Sequence, residues 1–261
     1  MPLTRQQADP FDLTGKVAVV TGGSRGLGRE MAHGFAEHGA TVVVASRKLE
    51  ACVETAEEIT RATGRRTLGI ECHVGRWSDC DALVDRVLGE LGSIDVLVNN
   101  AGMSPLYDSL DTVSEELFDK VVAVNLKGAF RLTALCGTAM EQRSGGSIIN
   151  VSSIAAVRPS PAEVPYAAAK AALNNLTIAA ARSFGPMVRV NAIMPGPFLT
   201  AVSEAWDTDA FEEVVADEIP AGRAGRPDEI VGAALYLASS ASSFTNGAVL
   251  KIDGGWAHAP A

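Results

Sequence analysis

The chain has 261 residues, with 22 lysines and arginines against 31 aspartates and glutamates, for a formal net charge of −9. That balance argues against nucleic acid as a partner, because binding a phosphate backbone needs concentrated positive charge. With 47% apolar and 20% charged residues the composition is globular and the chain is long enough to bury a full core.

No apolar run approaches the roughly 18 residues that cross a bilayer, and the polar stretch from Met1 to Phe11 lacks an apolar signal core. The expectation is a cytoplasmic protein with no membrane partner. Cys52, Cys72, Cys80 and Cys136 are widely spaced, without a Cys-x-x-Cys pair, and read as reduced thiols. His33, His38, His73 and His258 show no ligand spacing, so no metal site is expected.

Short β-branched runs alternate with stretches whose apolar residues fall three and four apart. In chain order they predict strand 16–21, helix 26–38, strand 41–46, helix 49–63, strand 67–71, helix 79–91, strand 94–98, helix 114–143, strand 147–151, helix 166–184, strand 188–193, helix 227–238 and strand 248–252. Val17-Ala18-Val19-Val20 is apolar at successive positions, so both faces are covered, as in a parallel sheet flanked by helices. The order predicts an α/β fold: a single-domain Rossmann-like doubly wound parallel sheet of about seven strands with helices on both faces. No repeat or linker divides 1–261, and 1–11 reads as a polar N-terminal extension. Ligands of such sheets lie beyond the carboxyl ends of the strands.

The first strand runs into Thr21-Gly22-Gly23-Ser24-Arg25-Gly26-Leu27-Gly28, which opens a helix. Glycines there let the backbone turn sharply and approach a pyrophosphate at the helix N-terminus, although tight turns use glycine in any case. About 20 residues further on, where an NAD-binding fold carries a carboxylate for the ribose 2′-hydroxyl, stand Ser46, Arg47 and Lys48. With Arg25 they suit a 2′-phosphate, so NADP(H) is favoured over NAD(H). The alternative is a solvated helix start, against which cations at a helix N-terminus oppose its dipole.

Tyr166 and Lys170 lie four apart on a predicted helix and project from one face. An ammonium beside a phenol stabilises phenolate and is expected to lower its pKa toward the working range of an acid–base catalyst. Such a pair alone is commonly a surface coincidence. Ser153, just past the strand Ile148-Ile149-Asn150-Val151, and Asn125 add polar groups at the same sheet edge. Ser153 suits a substrate carbonyl or a helix cap; Asn125, a poor helix former, suits a water or backbone contact.

Thr21-Gly22-x-x-x-Gly26-x-Gly28, Asn99-Asn100-Ala101-Gly102, Asn125, Ser153, Tyr166-x-x-x-Lys170, Pro195-Gly196 and Asp253-Gly254-Gly255 stand in an order and spacing that resembles the short-chain dehydrogenases/reductases, including 3-oxoacyl carrier-protein reductase-like and gluconate 5-dehydrogenase-like members. The resemblance runs from Lys16 to Gly255. It implies a tetrad in which Tyr166 exchanges the proton, Ser153 holds the substrate oxygen, Lys170 binds the nicotinamide ribose and lowers the Tyr166 pKa, and Asn125 holds a helix distortion and a relay water. It also implies that Asn100, Ala101 and Gly102 line the adenine-ribose side, and that Pro195, Gly196, Phe198 and Thr200 wrap the nicotinamide and its phosphate.

One departure stands out. Cys72-His73-Val74 replaces the family's usual aspartate and valine at adenine. A neutral imidazole can accept the adenine amino hydrogen bond and imidazolium cannot, so His73 beside Val74 is expected to weaken cofactor binding on protonation; the alternative is a solvated His73 with Val74 alone packing.

Residues 197–222 resemble a substrate lid. Within it Trp206, Phe211, Val214 and Val215 alternate with seven acidic residues, as in a lid or a plain amphipathic helix on the core. The substrate is expected to be a small carbonyl or alcohol: a 3-oxoacyl thioester, a keto-sugar acid, or a cyclic or xenobiotic ketone. A homotetramer is implied by the resemblance, and a non-catalytic NADP(H) sensor is the rival class, which has no physical reason to keep the four residues together.

Overall fold

The structure, a computed structural model, describes residues 9–200, 215 and 217–258. Seven strands, β1 (Val17–Thr21), β2 (Thr41–Ser46), β3 (Thr67–Glu71), β4 (Val96–Asn99), β5 (Gly146–Val151), β6 (Val188–Pro195) and β7 (Val249–Ile252), form one sheet in the order β3-β2-β1-β4-β5-β6-β7. Every pairing is parallel. The helices are α1 (Gly26–Glu37), α2 (Leu49–Thr63), α3 (Trp77–Leu91), α4 (Glu115–Val122), α5 (Gly128–Glu141), α6 (Val164–Phe184) and α7 (Val231–Ala238).

Alternate residues of β1 feed the two layers. Ala18 and Val20 join Met31 and Phe35 of α1 and Leu235 of α7 in one buried cluster. Val17 and Val19 join Leu83 of α3 and Leu132 and Met140 of α5 in the other. Each such leucine or phenylalanine contributes about 1.5–3 kcal/mol by leaving water, so the consecutive apolar residues of β1 are explained by two cores rather than one. The chain adds β2 and β3 on one side of β1 and then crosses to β4 on the other, which opens a crevice at the carboxyl ends of β1 and β4.

Element edges differ from the expectation where local chemistry intervenes. The helix predicted over 114–143 is α4 and α5 joined by a π turn at Ala123–Lys127. Asn125 donates from Nδ2 to the Val121 carbonyl at 2.9 Å, a side-chain bond inside the backbone ladder that accompanies the wider turn. Helix α6 starts at Val164, two residues early, with Pro165 in its first turn, where a missing N–H costs nothing. The predicted helix 227–238 begins as a tight turn at Pro227–Ile230 before α7. At the other end of the chain, the Pro10 carbonyl accepts from Ala241 N at 3.2 Å and Ser240 Oγ at 3.1 Å. Residues 201–214 and 216, most of the expected lid with Trp206, Phe211 and Val214, lie outside the described residues. No helix among the described residues is long and apolar enough to cross a membrane.

Candidate active site

The crevice is lined first by the glycine loop. Gly22 and Gly26 have φ of +64° and +53°, a backbone that other residues rarely adopt. A Cβ at Gly28 would stand 2.4 Å from both Asn100 Nδ2 and the Gly22 carbonyl oxygen. The loop is braced from below: Thr21 Oγ1 donates to the Val98 carbonyl at 3.1 Å and accepts from Asn100 N at 3.0 Å and Ala101 N at 3.2 Å. Asn100 donates from Nδ2 to the Thr21 and Gly22 carbonyls at 2.9 and 3.2 Å. Asn100, expected to line the ribose side, thus spends its amide on the loop itself. Thr200 reaches over Gly26, where a Cβ would meet it at 3.6 Å, and Leu27 packs onto the core. The first turn of α1 carries no side-chain cap and no acidic residue, which fits a phosphate against its backbone N–H groups. Glycine cradle and uncapped helix start together fit a dinucleotide.

Ser24 Oγ donates to Ser46 Oγ at 3.0 Å and ties the loop to the end of β2. Beyond it Arg25, Arg47 and Lys48 are exposed, and none forms an ion pair among the described residues. Val74 is buried beneath Gly128, whose Cβ would lie 2.2 Å from the Val74 carbonyl oxygen. His73 is half-buried; its Nδ1 accepts from Gly75 N at 3.1 Å, and its backbone N–H donates to Asp79 Oδ2 at 3.2 Å. With Nδ1 facing the Gly75 amide, Nε2 is the ring nitrogen left for any further contact.

Ser153 stands at the end of β5 and caps the turn Ile154–Ala156, accepting from Ala155 N at 3.2 Å. Its hydroxyl is near enough to the Tyr166 phenol to favour the phenolate. Lys170, one turn along α6, is buried and donates from Nζ to the Val151 carbonyl at 2.7 Å. Its Nζ lies 5.6 Å from the centre of the Tyr166 ring. Burial pushes the Tyr166 phenol up to about 12, with Glu163 acting the same way and Ser153 opposing. Burial also lowers Lys170 to about 8. The direction is opposite to the lowering expected from a neighbouring ammonium: desolvation is the largest influence on the phenol, and burial also disfavours the charge on Lys170.

Asn125 is buried and donates from Nδ2 to the Met103 carbonyl at 2.8 Å while its Oδ1 accepts from Met103 N at 3.2 Å. Gly102 leaves room between the two: a Cβ there would be 3.0 Å from Asn125 Oδ1 and 3.6 Å from Lys170 Nζ. On the far side, Gly196 N donates to the Ile252 carbonyl at 3.0 Å next to Pro195. Phe198 turns its ring into the core, against Gly225.

Several supports escaped the sequence reading. Asn99 donates to Asn150 Oδ1 at 2.9 Å and Asn150 to Thr177 Oγ1 at 2.9 Å, a buried chain tying β4 and β5 to α6. Asparagine inside the apolar run Ile148–Val151 was the available signal, since a buried amide needs partners. Tyr107 donates to the Pro161 carbonyl at 2.7 Å and accepts from Val164 N at 2.8 Å, clasping the loop after β4 to the start of α6.

A glycine cradle at the sheet's switch point, facing a Ser–Tyr–Lys constellation, defines a nicotinamide-dinucleotide oxidoreductase. The chain belongs to the short-chain dehydrogenase/reductase family, and residues 22–257 match the family model described as Enoyl-(Acyl carrier protein) reductase. It is 37% identical over 245 residues to Dehydrogenase/reductase SDR family member 4 of Oryctolagus cuniculus, covering 93% of this chain and 94% of that protein. It is 38% identical over 253 residues to 2-dehydro-3-deoxy-D-gluconate 5-dehydrogenase of Pseudoalteromonas atlantica, covering 95% and 98%. Among solved structures, a gluconate 5-dehydrogenase from Burkholderia cenocepacia in complex with NADP and tartrate superposes with a TM-score of 0.92 at 35% identity, covering 97% of this chain and 99% of that one.

Proposed function

We propose that the enzyme interconverts a ketone and a secondary alcohol with NADP(H), using Tyr166, Ser153, Lys170 and Asn125. The observation that carries this reading is the convergence of Ser153, Tyr166 and Lys170: Ser153 is near enough to the phenol to affect its proton affinity, and Lys170 Nζ lies 5.6 Å from the Tyr166 ring centre, next to Gly102. A bound nicotinamide supplies the hydride. Ser153 donates to the carbonyl oxygen and orients it. Tyr166, held up to about 12, is a protonated phenol at neutral pH and so can deliver a proton to the developing alkoxide. Lys170 presents its ammonium to the ribose side across Gly102, and Asn125 fixes the Met103 backbone that borders the same space.

The preference for NADP(H) over NAD(H) is supported by Arg25, Arg47 and Lys48, exposed around Ser46 with no carboxylate among those four positions. A 3-oxoacyl thioester, a keto-sugar acid and a cyclic or xenobiotic ketone are the candidate carbonyls, and relatives named for sugar acids are among the similar proteins. Assembly as a homotetramer is supported by Phe118, Phe130 and Ile178, exposed on α4, α5 and α6, and by Phe244.

Tyr166→Phe tests the reading. Turnover should fall by about 10²–10⁴-fold while the NADPH dissociation constant stays within about twofold of wild type. Full turnover in Tyr166→Phe would overturn the acid–base role. Wild type that binds NADPH yet reduces no carbonyl would favour a sensor.

A further inference from the structure

We infer that Glu163 selects substrate charge: the site takes a ketone or secondary alcohol bearing a protonated amine, with Glu163 as its counter-ion. This rests on the carbonyl-reducing reading above and names the substrate class of that same site.

Glu163 ends the turn Pro161–Glu163 that leads into α6, three residues before Tyr166. Its Oε2 accepts from Ser104 Oγ at 3.3 Å. Ser104 follows Met103, which Asn125 clamps through both backbone groups, and Tyr107 pins the other end of the turn at Pro161 and Val164. The carboxylate is thus held at the seam of the two segments flanking the catalytic tyrosine, close enough to act on its proton affinity.

No cation pairs with it. Glu163 is half-buried and has no ion-pair partner among the described residues, whereas Asp81, Asp95, Glu218 and Glu229 each have one. Burial raises its carboxyl above the usual range, so its ionised form bears a desolvation cost that an incoming cation would offset.

Among the described residues, the arginine that follows Ser153 is committed elsewhere. Arg158, five residues past Ser153, donates to Glu218 Oε2 at 2.7 Å and the Trp256 carbonyl at 3.0 Å, and its guanidinium lies 5.6 Å from the Trp256 ring centre. Glu218 Oε2 is held further by Trp256 Nε1 at 2.9 Å. A keto acid would meet Glu163 with Arg158 already bonded to Glu218 and Trp256.

The test uses para-substituted cyclohexanones bearing a dimethylammonium, an isopropyl or a carboxylate group, with NADPH. Wild type should prefer the ammonium ketone over the isopropyl ketone by about tenfold in kcat/KM, the worth of one partly desolvated charge pair, and should disfavour the carboxylate. Glu163→Gln, which keeps a group for Ser104, should bring the ammonium-to-isopropyl ratio near one, and Glu163→Lys should reverse the order. The dissociation constant of the dimethylamino cyclohexanol from protein saturated with NADP⁺ should weaken in parallel in Glu163→Gln. Turnover of all three ketones with ratios unaltered by Glu163→Gln would overturn this inference alone. NADPH binding without turnover of any of them would overturn the proposed reaction and this inference together.

Discussion

On the β1 side of the cleft, recognition is written in backbone: Gly22, Gly26 and Gly28 shape the loop, while Thr21 and Asn100 hold it through five hydrogen bonds within the protein. On the α6 side it is written in side chains from separate loops, with Ser104 on Glu163, Tyr107 across to Pro161 and Val164, and Arg158 on Glu218. Both flanks converge on Tyr166. A cradle of backbone can serve many proteins that share one cofactor, whereas a wall of individual side chains can be exchanged to admit another carbonyl compound without disturbing the hydride donor's seat.

The largest way to break this contrast is to add one methyl group to the cradle. Gly28→Ala places a Cβ against Asn100 and the Gly22 carbonyl, both already bonded to each other, and the NADPH dissociation constant should rise by about 100-fold or more. Gly89→Ala, on α3 with nothing within 4 Å, is the control and should leave binding unchanged. Isothermal titration of both variants checks it; a Gly28→Ala protein that binds as wild type would remove the claim that the backbone sets the cofactor seat.

A smaller effect sharpens the junction between the flanks. Lys170 sits at about 8 because burial opposes its charge, so the ammonium is present below that pH and lost above it. The kcat/KM for ketone reduction should therefore fall as pH rises through about 8, by about tenfold per unit beyond it, while Tyr166, held up to about 12, stays protonated. A pH–rate profile with its downturn near the ordinary lysine value of 10.5 would show that Lys170 is not desolvated during turnover.

The smallest effect concerns the exposed cations. Arg47→Ala should weaken NADPH binding by about tenfold, the loss of one charge-assisted phosphate contact, and leave NADH binding unaltered. Equal weakening of both cofactors, read by fluorescence titration, would place Arg47 in the general fold of the loop instead.

What could be read in the sequence follows the same division. The seven strands were legible because runs such as Val17–Val20 are apolar on successive residues, and the cradle was legible because glycine spacing is local. That Ser153, Tyr166 and Lys170 lie near one another was legible, but not their electrostatics. Four residues of sequence separation put Lys170 near Tyr166, whereas burial, which decides the direction of both shifts, belongs to the assembled sheet and helices. The π turn was hidden because its cause is Asn125 bonding to Val121 and to Met103, 22 residues away. The bonds of the Asn100 amide to the glycine loop and the burial of the Phe198 ring were not legible, because a motif does not say which way a side chain turns. Glu163 and Tyr107 drew no notice, since their partners lie 59 and 54–57 residues away in sequence.

The account stands most directly on one measurement: the initial rate of NADPH oxidation, with NADH in parallel, on a short 3-oxoacyl thioester, a keto-sugar acid and a cyclic ketone at equal concentration. It predicts reduction of at least one of them, with kcat/KM at least about tenfold higher for NADPH than for NADH. Tight NADPH binding with no carbonyl reduced, or equal rates with the two cofactors, would contradict it.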